Sequence, residues 1–190
     1  MTEQNEAKSR PEAYPNPEEK QALLDLLTTS GSELFAAVEL HTHHQPRPAK
    51  PEGTWSPAQI VEHVILTDTA MIGAVKKALS QPVREDWKTA SAGKADTLQN
   101  IALGVNKRVA SETLTPSENI DLCEVMERFQ KHRRELLDFF ETQLSEPRLS
   151  PMHAHLFTHA RLGDLSAYQW GLTIGYHTLR HVRQVRGLLD

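Results

Sequence analysis

Cysteine is nearly absent: Cys123 is the only one in 190 residues. No intrachain disulfide can form and a cysteine-based zinc cluster is excluded, a usage that fits a reducing compartment. No apolar run approaches the roughly 20 residues of a membrane span, and the N-terminus is polar rather than signal-like. The expectation is a cytoplasmic protein that does not use a membrane. An excess of basic charge is missing too. With a net charge of −4 and a pI near 6.2, the chain lacks the Lys and Arg surplus needed to replace counterions on nucleic acid. There is also no Gly-rich phosphate loop, no sustained alternation of the β type and no internal repeat.

Histidine, by contrast, is plentiful. The ten histidines are grouped at 41–44, 153–159 and 177–181, with His63 and His132 alone. At this length the chain suits one well-buried domain. Residues 1–17 carry prolines and charges with little to bury, which predicts a flexible N-terminal arm or a surface wrap and leaves 18–190 as the single domain.

Four amphipathic stretches follow. Asn16 and Pro17 announce the first helix, with an apolar face from Leu23 to Leu40. Ser56, Pro57 and Gln59 spell an N-cap, a first-position proline and a capping-box partner, opening a second helix to about Ser80. A third is predicted over 117–144, and a fourth, capped by Asp164 or Ser166, runs to the chain end. The connections 81–119 and 145–163 are long and punctuated by proline and glycine. The architecture expected is therefore all-α, a four-helix bundle with long crossover connections.

The chemistry is concentrated in the last helix. His177 and His181 lie four apart, in a row with Trp170, Ile174, Gln184 and Leu188 that faces the core. Such a pair either reaches one metal ion or forms two hydrogen-bonded core histidines. His63 points inward from the second helix, and a bundle lets it meet the pair as a three-imidazole site. Gln184, one turn beyond His181, is placed either to orient a ligand or as an ordinary polar residue. His153, His155 and His159 compete for the site, or one closes it as a fourth ligand, but their spacing suits a loop. The His41–His44 cluster reads as solvated loop, His132 as exposed, Glu62 and Asp68 as exposed charge or else as groups that support the metal ligands, Cys123 as partly buried, and Arg180, Arg183 and Arg186 as a solvated face.

Two stretches resemble a known family. Trp55-Ser56-Pro57-Ala58-Gln59-Ile60-Val61-Glu62-His63-Val64 is similar to the tryptophan-to-histidine opening of the second helix in DinB-like proteins. The segment from His159 to Trp170, followed by His177 to Gln184, resembles their closing segment. The resemblance implies that His63, His177 and His181 ligate a divalent metal ion, commonly zinc or nickel, with positions open to water or substrate. Some relatives are thiol transferases that use low-molecular-weight thiols. The chain departs from the family in its longer 81–119 connection and in Ala160 and Leu162, which replace the proline and phenylalanine of an HP-x-F-G run.

The resulting expectation is an enzyme acting on a small molecule by thiol transfer or by metal-dependent hydrolysis, with a possible homodimer as its assembly. The alternative is a non-catalytic helical binding module, with or without metal.

Overall fold

The structure, a computed structural model, describes residues 12–42, 53–103 and 111–188. Most of the proposed arm and the histidines His43 and His44 lie outside the described residues. Of the arm, Ala13 and Pro15 are buried, and the Ala13 carbonyl accepts the His153 amide.

Four long helices form the bundle: α1 (Pro17–Thr42), α2 (Pro57–Leu79), α5 (Leu122–Leu144) and α6 (Ala167–Arg186). Two short helices, α3 (Trp87–Ala90) and α4 (Lys94–Leu103), and a 3-10 turn at Glu112–Leu114 occupy the 81–119 connection. Each long helix starts where its side chains satisfy the first orphan amides. Asn16 and Glu19 bond reciprocally at α1, as do Ser56 and Gln59 at α2 and Ser166 and Gln169 at α6. Asp121 caps α5 by accepting from the Glu124 amide. The third helix thus begins five residues later than the pattern predicted, because Asp121 is the residue whose carboxylate reaches an N3 amide.

The second connection contains a feature that the sequence did not predict. Strands β1 (Leu156–His159) and β2 (Gly163–Ser166) pair antiparallel as a hairpin that runs directly into α6. Gly163 takes a φ of 69°, which glycine adopts without a Cβ penalty. With strands of four residues and half-buried faces, there was too little alternation to read.

The core falls into two apolar clusters. One gathers Leu23, Leu27, Val75, Leu136, Phe140 and Ile174; the other gathers Leu34, Val38, Ile60, Val64, Phe129 and Val182. Along each long helix a buried polar residue separates them: Ser30 on α1, Asp68 on α2, Arg133 on α5 and Thr178 on α6. Arg133 donates to Asp68 Oδ2 at 3.1 Å, to Ser30 Oγ at 3.0 Å and to the Leu27 carbonyl. Asp68 is wholly buried and not exposed as expected, and His132 is drawn inward to 3.7 Å from the same carboxylate oxygen. By length and mean hydropathy α2 would cross a membrane, but 56% of that apolar window is buried within the bundle, as befits a core helix.

Close packing of α6 against α5 and α1 depends on small residues. A Cβ at Gly171 would come within 2.9 Å of Phe140, and one at Gly175 would collide with Leu26. Two outcomes follow for urea unfolding. Gly175→Ala lowers stability by about 1–3 kcal/mol through overpacking. Asp68→Ala, which strands the Arg133 guanidinium in the core, lowers it by about 3–5 kcal/mol.

Candidate metal centre

Helices α2 and α6 pack against each other and carry the candidate ligands. On α6, the i,i+4 spacing stacks His177 and His181 on one face, with ring centroids 4.5 Å apart. His63 on α2 meets them from across the interface, 5.3 Å from the His177 ring and 4.8 Å from the His181 ring. One ligand nitrogen from each of the three lies within 4.8 Å of the others. Among the described residues no other group of three His, Cys, Asp or Glu could hold a metal ion in this way. Trp55 lies against the outer side of His63, its ring 4.8 Å away.

Hydrogen bonds set the tautomers. His63 Nδ1 is 2.7 Å from the Leu114 carbonyl, which can only accept, so a neutral ring donates there and leaves Nε2 bare. His181 Nδ1 is 2.8 Å from Gln184 Oε1, with the same consequence. Thr67 stands 3.5 Å from His63 Nε2, but it donates to the His63 carbonyl at 2.7 Å. Finally, His181 Nε2 and His177 Nε2 face each other at 3.1 Å. Without a metal, one proton on His177 can occupy that gap while the His63 lone pair stays open. A shared cation satisfies all three nitrogens, so the donor set fits a divalent ion of the zinc or nickel type.

Burial disfavours the charged form of two of the rings, His63 and His181. Burial lowers the His63 pKa, the Leu114 carbonyl and Asp68 oppose it, and Arg180 adds to the lowering. Burial, followed by its neighbour His63, pushes His181 down to about 3, with Gln184 opposing and Arg180 adding to the fall. Arg180 is half-buried and close enough to act on both rings, which corrects its placement on a solvated face. Arg183 is exposed, and Arg186, also exposed, pairs with Glu33.

The competing histidines go elsewhere. His153 bonds Glu19 at 3.2 Å between Trp87 and Tyr168, His155 bonds the Gln81 carbonyl at 2.8 Å, and His159 accepts the Arg161 and Leu162 amides in the hairpin turn. None of them joins the three-His group as a fourth ligand. His132 is half-buried rather than exposed, and Cys123 is exposed rather than partly buried. Gln184 acts on His181 directly. One partner was missed, Leu114, whose contribution is a backbone carbonyl and so leaves no mark in residue identity; Glu62, read mainly as exposed charge, is only 7% exposed.

Comparison with known proteins adds one finding. A family model described as the DinB superfamily matches residues 26–185, well over half of the chain. No curated protein and no solved structure matches it.

The pKa shifts give the metal-free protein a defined pH dependence. His181 binds its proton near pH 6.5 when unfolded and near pH 3 when folded, so between these values the unfolded chain holds more protons. The stability from keeping His181 neutral is complete above about pH 6.5 and is lost as pH falls towards 3. In chelator-treated protein, Tm measured by circular dichroism should fall between pH 6.5 and 4. His181→Asn should flatten that slope.

Proposed function

We propose a function from two facts: the chain belongs to the DinB superfamily, and three of its histidines, His63, His177 and His181, converge without a fourth protein ligand among the described residues. Our reading is a metal-dependent enzyme that holds a divalent ion, zinc or nickel, on these three imidazoles. It transfers a low-molecular-weight thiol to an electrophilic small molecule. The convergence of three imidazoles, with no fourth side chain in the group among the described residues, carries this reading, because a closed structural site uses four protein ligands and a catalytic site uses three.

A divalent ion held by three neutral ligands keeps its full charge, and when bound it supplies a lowered pKa to a coordinated thiol or water. The chain's own residues supply the rest. Leu114 and Gln184 hold His63 and His181 with Nε2 directed inward, and burial keeps those nitrogens free of protons at neutral pH. The charge of Arg180 acts on the same rings and favours an anionic ligand such as a thiolate. Trp55 provides an aromatic wall at His63.

Thiol transfer is preferred over hydrolysis because of the carboxylates. Glu62 is bonded to Ser117 and Arg128, and Asp68 to Arg133. Each is committed to a cation, so hydrolysis would rest on metal-bound hydroxide alone, whereas a low-molecular-weight thiol is the co-substrate that the family resemblance implies. A reducing compartment, such as the cytoplasm, is the setting that a thiol co-substrate and the exposed Cys123 require.

Elemental analysis of protein purified without an affinity tag tests this reading. Near-stoichiometric zinc or nickel is expected in the wild type, with its loss in His63→Ala and His177→Ala and thiol-dependent conjugation of electrophiles by the loaded protein. A wild type that takes up neither ion would leave a helical binding module as the better account. Metal that admits no thiol or water would point to a structural site.

A further inference from the structure

Next to His63 in sequence sits a buried carboxylate that the chemistry above does not use. Glu62 is 7% exposed, and its two oxygens are both engaged: Oε2 accepts the Ser117 amide at 2.7 Å, and Oε1 accepts from Arg128 at 3.1 Å. One of its oxygens thus holds a backbone amide and the other a guanidinium.

That amide belongs to the segment carrying the Leu114 carbonyl. Residues 111–117 form a strap beside α2 that joins no strand among the described residues, and a single 3-10 turn, Leu114 N to Ser111 O at 2.9 Å, is its local order. Side chains from α2 determine where it lies. Gln59 donates to the Ser117 carbonyl at 3.2 Å, while Glu62, three residues on and hence on the same helix face, accepts the Ser117 amide. Both backbone groups of Ser117 are thus pinned to one turn of α2. Pro116 is buried behind the pin with its φ restricted by the ring. Three residues upstream, the Leu114 carbonyl takes the Nδ1 proton of His63 at 2.7 Å.

We propose that Glu62 is a positioning residue for the metal centre: by anchoring Ser117 it holds the Leu114 carbonyl against His63 and so sets that ring's tautomer and direction. The proposal rests on the reading of His63, His177 and His181 as a metal site. It gives α2 two jobs within one turn, since His63 supplies the ligand and Glu62 holds the group that orients it. An imidazole without such a partner can present either nitrogen and can rotate about its Cβ–Cγ bond. Ring partners of this kind are worth about 10–100-fold in metal affinity.

The test uses the full chain as wild type, Glu62→Ala and Glu62→Gln, with circular dichroism to confirm folding. In zinc-free protein, imidazole 15N shifts should report an Nδ1–H tautomer for His63 in the wild type and a mixture in Glu62→Ala, with faster hydrogen exchange at the Ser117 amide. Zinc affinity by chelator competition should fall about 10–100-fold in Glu62→Ala, while Glu62→Gln, which keeps an oxygen for Ser117, stays within about threefold. Should Glu62→Ala not fold, Ser117→Pro removes the amide from the other side and should reproduce the tautomer and affinity changes.

An unchanged His63 tautomer and unchanged zinc affinity in a folded Glu62→Ala protein would overturn the proposal. So would an equal loss in Glu62→Gln, because the acceptor oxygen would then not be what matters. A wild type that binds no zinc yet shows the expected tautomer change overturns the metal reading and leaves the Glu62 tether standing.

Discussion

An imidazole can ligate only through a nitrogen that carries no proton, and this requirement governs the arrangement of the whole centre. Every ring that offers Nε2 inward needs somewhere to place the proton on Nδ1. His63 uses a backbone carbonyl from the 111–117 strap and His181 uses Gln184, one turn along its own helix. The second solution is local and comes with the helix. The first is not, since it requires a segment more than 50 residues away in sequence to be delivered to α2 and held there. Burial then reinforces both, because an imidazolium in this interior would lose its hydration, and the attraction of Asp68 for His63 does not offset that loss.

Placing such a site in a bundle raises a second problem, because the polar groups around it must be satisfied away from water. The chain meets it in part by collecting several of them at one level, where Asp68 Oδ1 and Arg133 Nε still have no hydrogen-bond partner among the described residues. Ser30, Asp68, Arg133 and Thr178 divide the apolar interior into two clusters, and Arg133 bonds groups on both α1 and α2. A buried pair of this kind adds little net stability compared with apolar residues of similar volume, but removing either partner is costly. Glycine makes the geometry possible on the other side of the bundle, where Gly171 lets α6 close on Phe140 of α5 and Gly175 lets it close on Leu26 of α1. The approach matters for function, because α6 is the helix that carries His177 and His181.

Membership of the DinB superfamily fits this organisation. The long 81–119 connection has a structural use: α4 packs on α6, and the far end of the connection supplies the Leu114 carbonyl to His63. The histidine-rich 153–159 segment is equally structural. His153 and His159 tie the hairpin region to α1 and to its own turn rather than adding a ligand. An abundance of imidazoles in sequence therefore overstated the number available to a metal.

By itself the sequence determined the elements and the inward row of ligands. Capping pairs such as Ser56 with Gln59 and Ser166 with Gln169 act within one helical turn, and the 3.6-residue period puts His177 and His181 on one face whatever surrounds them. Interactions confined to a few residues are legible in a few residues. Tertiary structure alone decided the rest: that Asp68 and Glu62 are buried, that Arg180 acts on the site, that His132 turns inward and that a hairpin precedes α6. A charged residue stays in an interior only if a partner from another element meets it, and residue identity does not reveal that partner. Whether a carbonyl at position 114 faces a histidine at position 63 is likewise a property of the packed chain, because every residue carries a carbonyl and only the fold aims one.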